Sequence, residues 1–437
     1  MPNRRAVSGS ASQNERRVTD KHRTAIVHYA APPVVGGVEG VIEAHVRTFV
    51  QAGYPVTVVA GRGDEDALPP EAEFLRIPRI DSQHPEIAQI TQQLEEGKVP
   101  PSLDEVADDL AETLESVLGR FDTLIVHNIF TKRFNLPLTV ALFRLLDEAV
   151  LHNCIAWCHD IGWSSEHSLP NLHRGYPWDL LRTQREDVTY VVVSEHRQRA
   201  LAELFSCPAQ EIRVIYNGVD PALLLGLTEE GHSLIDRLDL LKSDLTLLMP
   251  VRVTQAKNIE LALRVVAALK AQRQGVRLVL TGPPDPHDEQ SMAYFRELQA
   301  LRRELDVEEE MRFVFESGPD AEEGFTVGMP VVADLFRTSD VIFMPSHREG
   351  FGMPILEAGL VGKPIVCTEM PAAQEIGGED VTTIHPEGDP EQIAEHILSL
   401  VEASPVHRLR RRVRQNHTWG AIFERDIEPL LEGAKPV

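Results

Sequence analysis

The sequence predicts an α/β protein made of two Rossmann-like α/β/α domains. Short apolar runs rich in β-branched residues alternate with stretches of helical periodicity, the pattern of parallel strands joined by covering helices. That alternation runs once from residue 24 to about 216 and again from about 245 onward. At 437 residues the chain is also longer than one ordinary hydrophobic core supports.

Residues 1–23 are polar, rich in Arg and Ser and without periodicity, so they read as a disordered tail. Ala25–Tyr29 is the first strand, the loop Pro32–Gly37 ends in paired glycines, and a helix from about Val38 to Gln51 leads to the strand Val56–Ala60. Gly36 and Gly37 leave bare backbone that a ligand could approach, with a tight turn as the plainer alternative. The third glycine of a dinucleotide fingerprint is absent, and no acidic residue ends the second strand, which disfavours a Rossmann dehydrogenase. Asp64-Glu65-Asp66 looks like a metal-binding Asp-x-Asp but sits in a loop, where a surface turn is its expected role. Ser102 and Glu105 have capping-box spacing, and Leu103, Val106, Leu110, Leu114 and Val117 recur at helical spacing behind them.

Asp122–Val126 is a strand ending at His127-Asn128, and Phe134–Glu148 is a helix. The strand Leu151–Trp157 delivers His159, Asp160 and Trp163 to its carboxyl end, where open α/β sheets bind ligands. A purely structural histidine is the alternative there. Trp163, Tyr176 and Trp178 could stack on a sugar, although aromatic residues in such stretches more often pack on the core. A strand (Thr189–Ser194) and a helix (Glu195–Phe205) follow, and the turn signals Asn217-Gly218 and Asp220-Pro221 put the domain boundary near Asn217.

In the second half, Leu245–Val251 is a strand leading to Arg252 and Lys257, ahead of the helix Asn258–Gln272. Two cations at the carboxyl end of a strand suit a diphosphate, and a solvated basic loop is the alternative. Val276–Thr281 is a strand, Met292–Leu305 a helix, Met311–Phe315 a strand and Val331–Thr338 a helix, with the loop 316–330 unassigned. The strand Val341–Met344 ends at Pro345-Ser346, and the loop Glu349-Gly350-Phe351-Gly352 runs into a helix for which Pro354 suits the first position. A helix start offers unpaired amides and a positive dipole end to phosphate. Glu349 on the loop and Glu357 in the opening turn are placed to accept hydrogen bonds from sugar or ribose hydroxyls. Lys363–Thr368 is one more strand, and a turn begins at Glu375-Ile376-Gly377. Arg408–Arg414 reads as a solvated basic run, and the last segment, through Trp419 and Phe423, as a terminal helix.

Composition narrows the function classes. A hydrophobic content of 43% supports globular burial, and no apolar run approaches the roughly 18 residues of a bilayer span. Nor does an early apolar segment suggest a signal peptide, so a soluble, cytoplasmic protein is expected. The formal charge of −24 repels nucleic acid and anionic lipid, which favours a small soluble partner. Of the four cysteines, Cys154 and Cys158 lie just before His159, but that spacing is not a zinc signature, and reduced free thiols are the simpler account.

The string Pro345-Ser346-x-x-Glu349-Gly350-Phe351-Gly352-x-x-x-Leu356-Glu357-Ala358-Gly359 resembles the donor-binding motif of the retaining glycosyltransferases of family four, the group that includes glycogen and sucrose synthases. Val251-Arg252-Val253-x-x-x-Lys257 resembles the Arg and Lys with which that family grips the donor pyrophosphate, although Val251 stands where glycine is common. His159-Asp160 resembles its acceptor-side histidine. The resemblance spans about residues 24–430 and is strongest from Leu248 to Glu379.

It implies a GT-B fold, two Rossmann-like domains facing each other across a cleft, with residues 24–216 holding the acceptor and 217–403 the nucleotide sugar. Residues 404–437 would return to the first domain. The implied chemistry moves a hexose from a nucleoside-diphosphate sugar, UDP or GDP, to a hydroxyl acceptor with retained anomeric configuration and no metal or other cofactor. Arg252 and Lys257 would carry the leaving diphosphate, Glu349 the sugar hydroxyls, Glu357 the ribose and His159 a hydroxyl of the transferred sugar. Gly36, Gly37, Gly350, Phe351 and Gly352 would line the donor, with Asn128 and Asp160 on the acceptor side. A GT-B epimerase, a phosphorylase with a pyridoxal-bearing lysine and a silent sugar-nucleotide binding protein are the alternatives.

Overall fold

The computed structural model describes residues 21–433 apart from 286, 321 and 322, so most of the predicted disordered tail (1–20) lies outside the described residues. Within them the chain forms two compact units, one running to Gly218 and resuming at Trp419, the other spanning Val219–Thr418.

The first unit is a parallel sheet of seven strands. They are β1 (Thr24–Ala30), β2 (Val56–Arg62), β3 (Glu73–Arg76), β4 (Thr123–His127), β5 (Cys154–Cys158), β6 (Val188–Val192) and β7 (Arg213–Val214), in the order β3-β2-β1-β4-β5-β6-β7. β1, β4 and β5 are buried along their whole length, as strands covered on both faces must be, and their sequences read accordingly as apolar runs. Alternate residues go to opposite faces: Ala25 and Val27 pack beneath the helices Ser102–Leu118 and Leu136–Asp147, Ile26 beneath the helix Gly37–Gln51.

The segment from Trp419 belongs to this second face. Ile422, Phe423 and Ile427 are buried there, each contributing about 1.5–3 kcal/mol by leaving water. The Phe423 ring lies 5.6 Å from that of Phe49, and the Asn153 amide donates to the Leu430 carbonyl at 2.8 Å.

The predicted capping box at Ser102 does not form. Pro101 occupies the cap position and has no amide hydrogen for Glu105 to bind, so Ser102 is already helical.

The second unit repeats the plan with β8 (Leu245–Met249), β9 (Val276–Leu280), β10 (Met311–Phe313), β11 (Val341–Met344), β12 (Ile365–Thr368) and β13 (Thr382–Ile384). All are parallel, in the order β10-β9-β8-β11-β12-β13. The basic run at Arg408–Arg414 is not the solvated surface its composition suggests. It lies in the helix Pro405–Asn416, whose Arg410 and Arg414 turn inward onto the carboxylate of Asp340, just ahead of β11. A buried carboxylate needs such partners, and that need overrides the preference of Arg for water.

Candidate active site

In both sheets the strand order reverses beside the first strand, between β1 and β4 and between β8 and β11. Loops leaving the carboxyl ends of such a pair diverge and leave a crevice, the usual ligand position in this architecture.

In the second unit the β8 loop brings Lys257 and the β11 loop brings Glu349. Their side chains pair at 2.6 Å, Lys257 20% and Glu349 9% exposed, so the contact is largely shielded from water. The Ser346 hydroxyl donates to the same carboxylate oxygen at 2.8 Å. The His347 amide donates to the Ala256 carbonyl (2.9 Å) and joins the two loops, and the Thr368 hydroxyl at the end of β12 donates to the Ser346 carbonyl. Asn258, in a left-handed conformation (φ 53°), turns the chain into the helix Ile259–Gln272 and anchors it through its amide on the Pro386 carbonyl.

Arg252 lies on the same loop as Lys257 but faces a cleft of about 690 Å³, together with Arg348, Gln255, Ser291 and Tyr294. Lys257, Glu349 and Glu357 are not among the residues lining that cleft, so the predicted donor residues fall into two adjoining groups.

Val251, the departure from the family pattern, is buried and accommodated, its amide bonded to Met249 and its carbonyl to the Gly282 amide, both at 2.9 Å. The close backbone approach falls on Gly282, where a Cβ would come within 2.6 Å of the Val251 carbonyl oxygen and 2.7 Å of the Arg252 Cα.

Gly352 caps the helix Met353–Leu360 with φ 83°, a conformation that strains any residue with a Cβ, and supplies no side-chain cap. The Ile355 amide turns back onto the Gly352 carbonyl at 2.9 Å and Pro354 has no amide hydrogen, so the helix start offers a ligand its tip amide at Met353 and its positive dipole end. Gly350 has open space where a side chain would stand, and Phe351 is exposed. The helix begins at Met353, which makes Pro354 its second residue and puts half-buried Glu357 just past the first turn.

In the first unit, Asn128 at the end of β4 is left-handed (φ 59°), and its side-chain oxygen accepts the amides of His159 (2.8 Å) and Asp160 (3.0 Å). Asn128 thus holds the loop that carries both candidate residues. Asp160 also pairs with Arg197 at 3.1 Å. Gly37, Asn128 and Asp160 line a cavity of about 290 Å³ with His28, Lys132 and Arg62; Gly36 caps the helix beside it.

His159 is 9% exposed, and its Nε2 lies 3.0 Å from Nδ1 of His127. Burial lowers the pKa of His159 to about 4 and that of His45, deeper in the same cluster, to about 3. These rings are neutral near pH 7.

Among the residues at these sites that the sequence reading did not single out are His28, His127 and Arg348. A signal for the two histidines does exist, since β1 and β4 both contain Ile-Val-His and the register pairs Ile26 with Ile125 and Val27 with Val126.

Other candidates resolve otherwise. Trp163 donates to the Trp178 carbonyl at 3.4 Å, buried Trp178 packs on the core, and Tyr176 bonds Asp104 at 2.6 Å. Asp64–Asp66 is an exposed turn in which Asp64 accepts the Asp66 amide. Burial pushes the thiols of Cys154 and Cys158 up to about 12.

Residues 35–223 match the model of Glycosyltransferase Family 4, and residues 234–418 that of Glycosyl transferases group 1. Among curated relatives, an uncharacterized glycosyltransferase of Methanocaldococcus jannaschii is 25% identical over 251 residues, 55% of this chain and 59% of that protein. Mannosylglucosylglycerate synthase of Thermotoga maritima is 22% identical over 377 residues, 79% of this chain and 80% of the synthase. D-inositol 3-phosphate glycosyltransferase of Saccharomonospora viridis is 27% identical over 187 residues, 41% of this chain and 40% of that enzyme. Among solved structures, sucrose-phosphate synthase of Thermosynechococcus elongatus aligns over 95% of this chain and 100% of its own, with 17% identity and a TM-score of 0.35.

Proposed function

The chain belongs to the GT-B glycosyltransferases of the group 1 and family 4 kind, and from that premise we propose that it transfers a hexose from a nucleoside-diphosphate sugar, UDP- or GDP-linked, to a hydroxyl acceptor with retention. The observation that carries this reading is the Lys257–Glu349–Ser346 cluster beside Arg252 and the uncapped start of the helix Met353–Leu360, all at the strand reversal of one sheet.

Arg252, Lys257 and the start of the helix Met353–Leu360 take the charge that develops on the leaving diphosphate. Glu349 and Glu357 accept hydrogen bonds from the hydroxyls of the sugar and the ribose, and His159 hydrogen-bonds a hydroxyl of the transferring sugar. The departing phosphate helps to deprotonate the acceptor, and no step uses a metal. A small hydroxylated acceptor is favoured by the net charge of −24 and by relatives named for a glycosylglycerate product and for D-inositol 3-phosphate.

Incubation with UDP- and GDP-sugars, with and without small polyol or sugar acceptors, tests the reading. The expected product, seen by NMR, is a glycoside whose anomeric configuration matches the donor. Interconversion of the donor without acceptor would point instead to an epimerase, and binding without turnover to a silent binding protein. In the same assay Glu357→Ala raises the donor KM about ten- to a hundredfold, the worth of one or two hydrogen bonds to a charged group, with the fold unchanged. An unaltered KM would remove Glu357 from the donor site.

A further inference from the structure

We propose that His127 is a positioning residue that fixes the tautomer of His159, so that His159 meets its ligand as a hydrogen-bond donor through Nδ1 and not as a base. This deepens the reading above and rests on its placement of His159 against a sugar hydroxyl.

The chain of bonds starts at β1. His28 Nδ1 lies 2.9 Å from the His127 carbonyl oxygen. A carbonyl only accepts, so the hydrogen sits on His28 Nδ1, and that contact leaves the His127 ring free. His127 Nδ1 in turn lies 3.0 Å from His159 Nε2, two ring nitrogens of which one must donate and the other accept.

Which one donates follows from the far side of the His127 ring. That ring is fully buried among His45, Trp157 and His159, and its Nε2 has no hydrogen-bond partner. A hydrogen on Nε2 would add an unpaired buried N–H to a cluster that already holds that of Trp157, and an unpaired buried donor costs its desolvation. A hydrogen on Nδ1 leaves only an unused lone pair there. A doubly protonated ring is opposed first by burial and then by the neighbouring imidazoles of His159, His45 and His28.

His127 therefore donates from Nδ1 to His159 Nε2. A neutral His159 then carries its own hydrogen on Nδ1. The ring is neutral because burial and His28 outweigh the opposing pull of Asp160. The Asn128 oxygen, holding the amides of His159 and Asp160, fixes where the ring stands. With its basic nitrogen already occupied, His159 can donate to a sugar oxygen but cannot take the proton of the acceptor hydroxyl. That proton has to leave by another group, which the departing phosphate supplies.

The test is a two-bond ¹H–¹⁵N spectrum of the full chain labelled with ¹⁵N-histidine, with the His159 signals assigned by their loss in His159→Gln. The expected spectrum between pH 6 and 8 shows protonated Nδ1 and unprotonated Nε2, the minor form of free imidazole. Protonated Nε2, or a signal averaged between the two forms, would overturn the proposal. His127→Asn, whose amide can donate from the position of Nδ1, keeps that spectrum. His127→Leu returns His159 to the Nε2–H form and lowers transfer about tenfold, the worth of one hydrogen bond, while the nucleoside diphosphate alone binds as before. A folded His127→Leu chain that kept the Nδ1–H form would also overturn it, and if that variant fails to fold, the wild-type spectrum still decides. An Nδ1–H spectrum in a chain without transferase activity would refute the proposed function and leave the tautomer assignment standing.

Discussion

Lys257→Ala lowers turnover on the cognate sugar nucleotide by about 10²–10³-fold, the usual loss when one preorganised charge-stabilising group is removed. The geometry makes Lys257 such a group. It sits at the end of a short turn ahead of the helix Ile259–Gln272, and Glu349 holds its ammonium at 2.6 Å before any ligand arrives. Little reorganisation is left to be done when the diphosphate departs.

Folding suffers much less in this variant. Glu349 keeps the Ser346 hydroxyl, and as a loop residue it can turn toward water, so the expected destabilisation is about 1–2 kcal/mol. Single-turnover kinetics alongside urea unfolding separate the two effects. Full turnover in Lys257→Ala would remove the leaving-group role.

Asp340→Asn is expected to cost about 3–5 kcal/mol of stability, the penalty for breaking a buried ion pair and leaving the other charge behind. The Asp340 side chain is 0% and the Arg414 side chain 5% exposed, with 2.8 Å between them. Arg410 stands 3.8 Å away, and the Thr246 amide donates to the carboxylate at 2.9 Å. His407 Nδ1 stands 3.6 Å from the same carboxylate. Asparagine preserves the Thr246 contact and removes only the charge, which isolates the ionic contribution. For a unit of this size the loss corresponds to a fall in Tm of about 10 °C.

Acid should show the same residue at work. Burial alone would raise the Asp340 pKa, but His407, Arg414, Arg410 and the Thr246 amide together hold it well below the usual carboxylate range. A folded-state pKa below the unfolded value gives stability that is present above about pH 4 and lost as the pH falls below it. Wild type therefore loses stability below pH 4 more steeply than Asp340→Asn. Parallel acid profiles would contradict this. Because Asp340 precedes β11, at the end of the sheet opposite the candidate site, kcat per folded molecule should not change.

The central strands were legible because parallel strands covered on both faces must be continuous apolar runs, as Val341–Met344 and Leu245–Met249 are. The edges were not. β3 reads Glu-Phe-Leu-Arg, β7 has two residues, and β13 reads Thr-Thr-Ile, all too short or too exposed for an apolar pattern. The basic run misled because composition hides direction: His407, Arg410 and Arg414 recur at helical spacing on one face, but a sequence shows no carboxylate for that face to meet.

The candidate site divides in the same way. Lys257 and Glu349 lie in loops whose glycines and charges mark them, whereas His127 acquires a meaning only once the sheet sets it between His28 and His159. Val251 is the converse case, a departure in sequence that the fold absorbs because the close approach is made at Gly282.

Calorimetric titration of the wild type, Arg252→Ala and Lys257→Ala with UDP, GDP and the corresponding free nucleosides goes most directly to the diphosphate site of the second unit. The expected result is one-to-one binding of one diphosphate by the wild type, weakened about tenfold or more in each variant, with binding of the free nucleoside unchanged, because the two cations meet only the phosphates. Equal affinity for the diphosphate in all three proteins, or equal weakening of diphosphate and nucleoside, would contradict it.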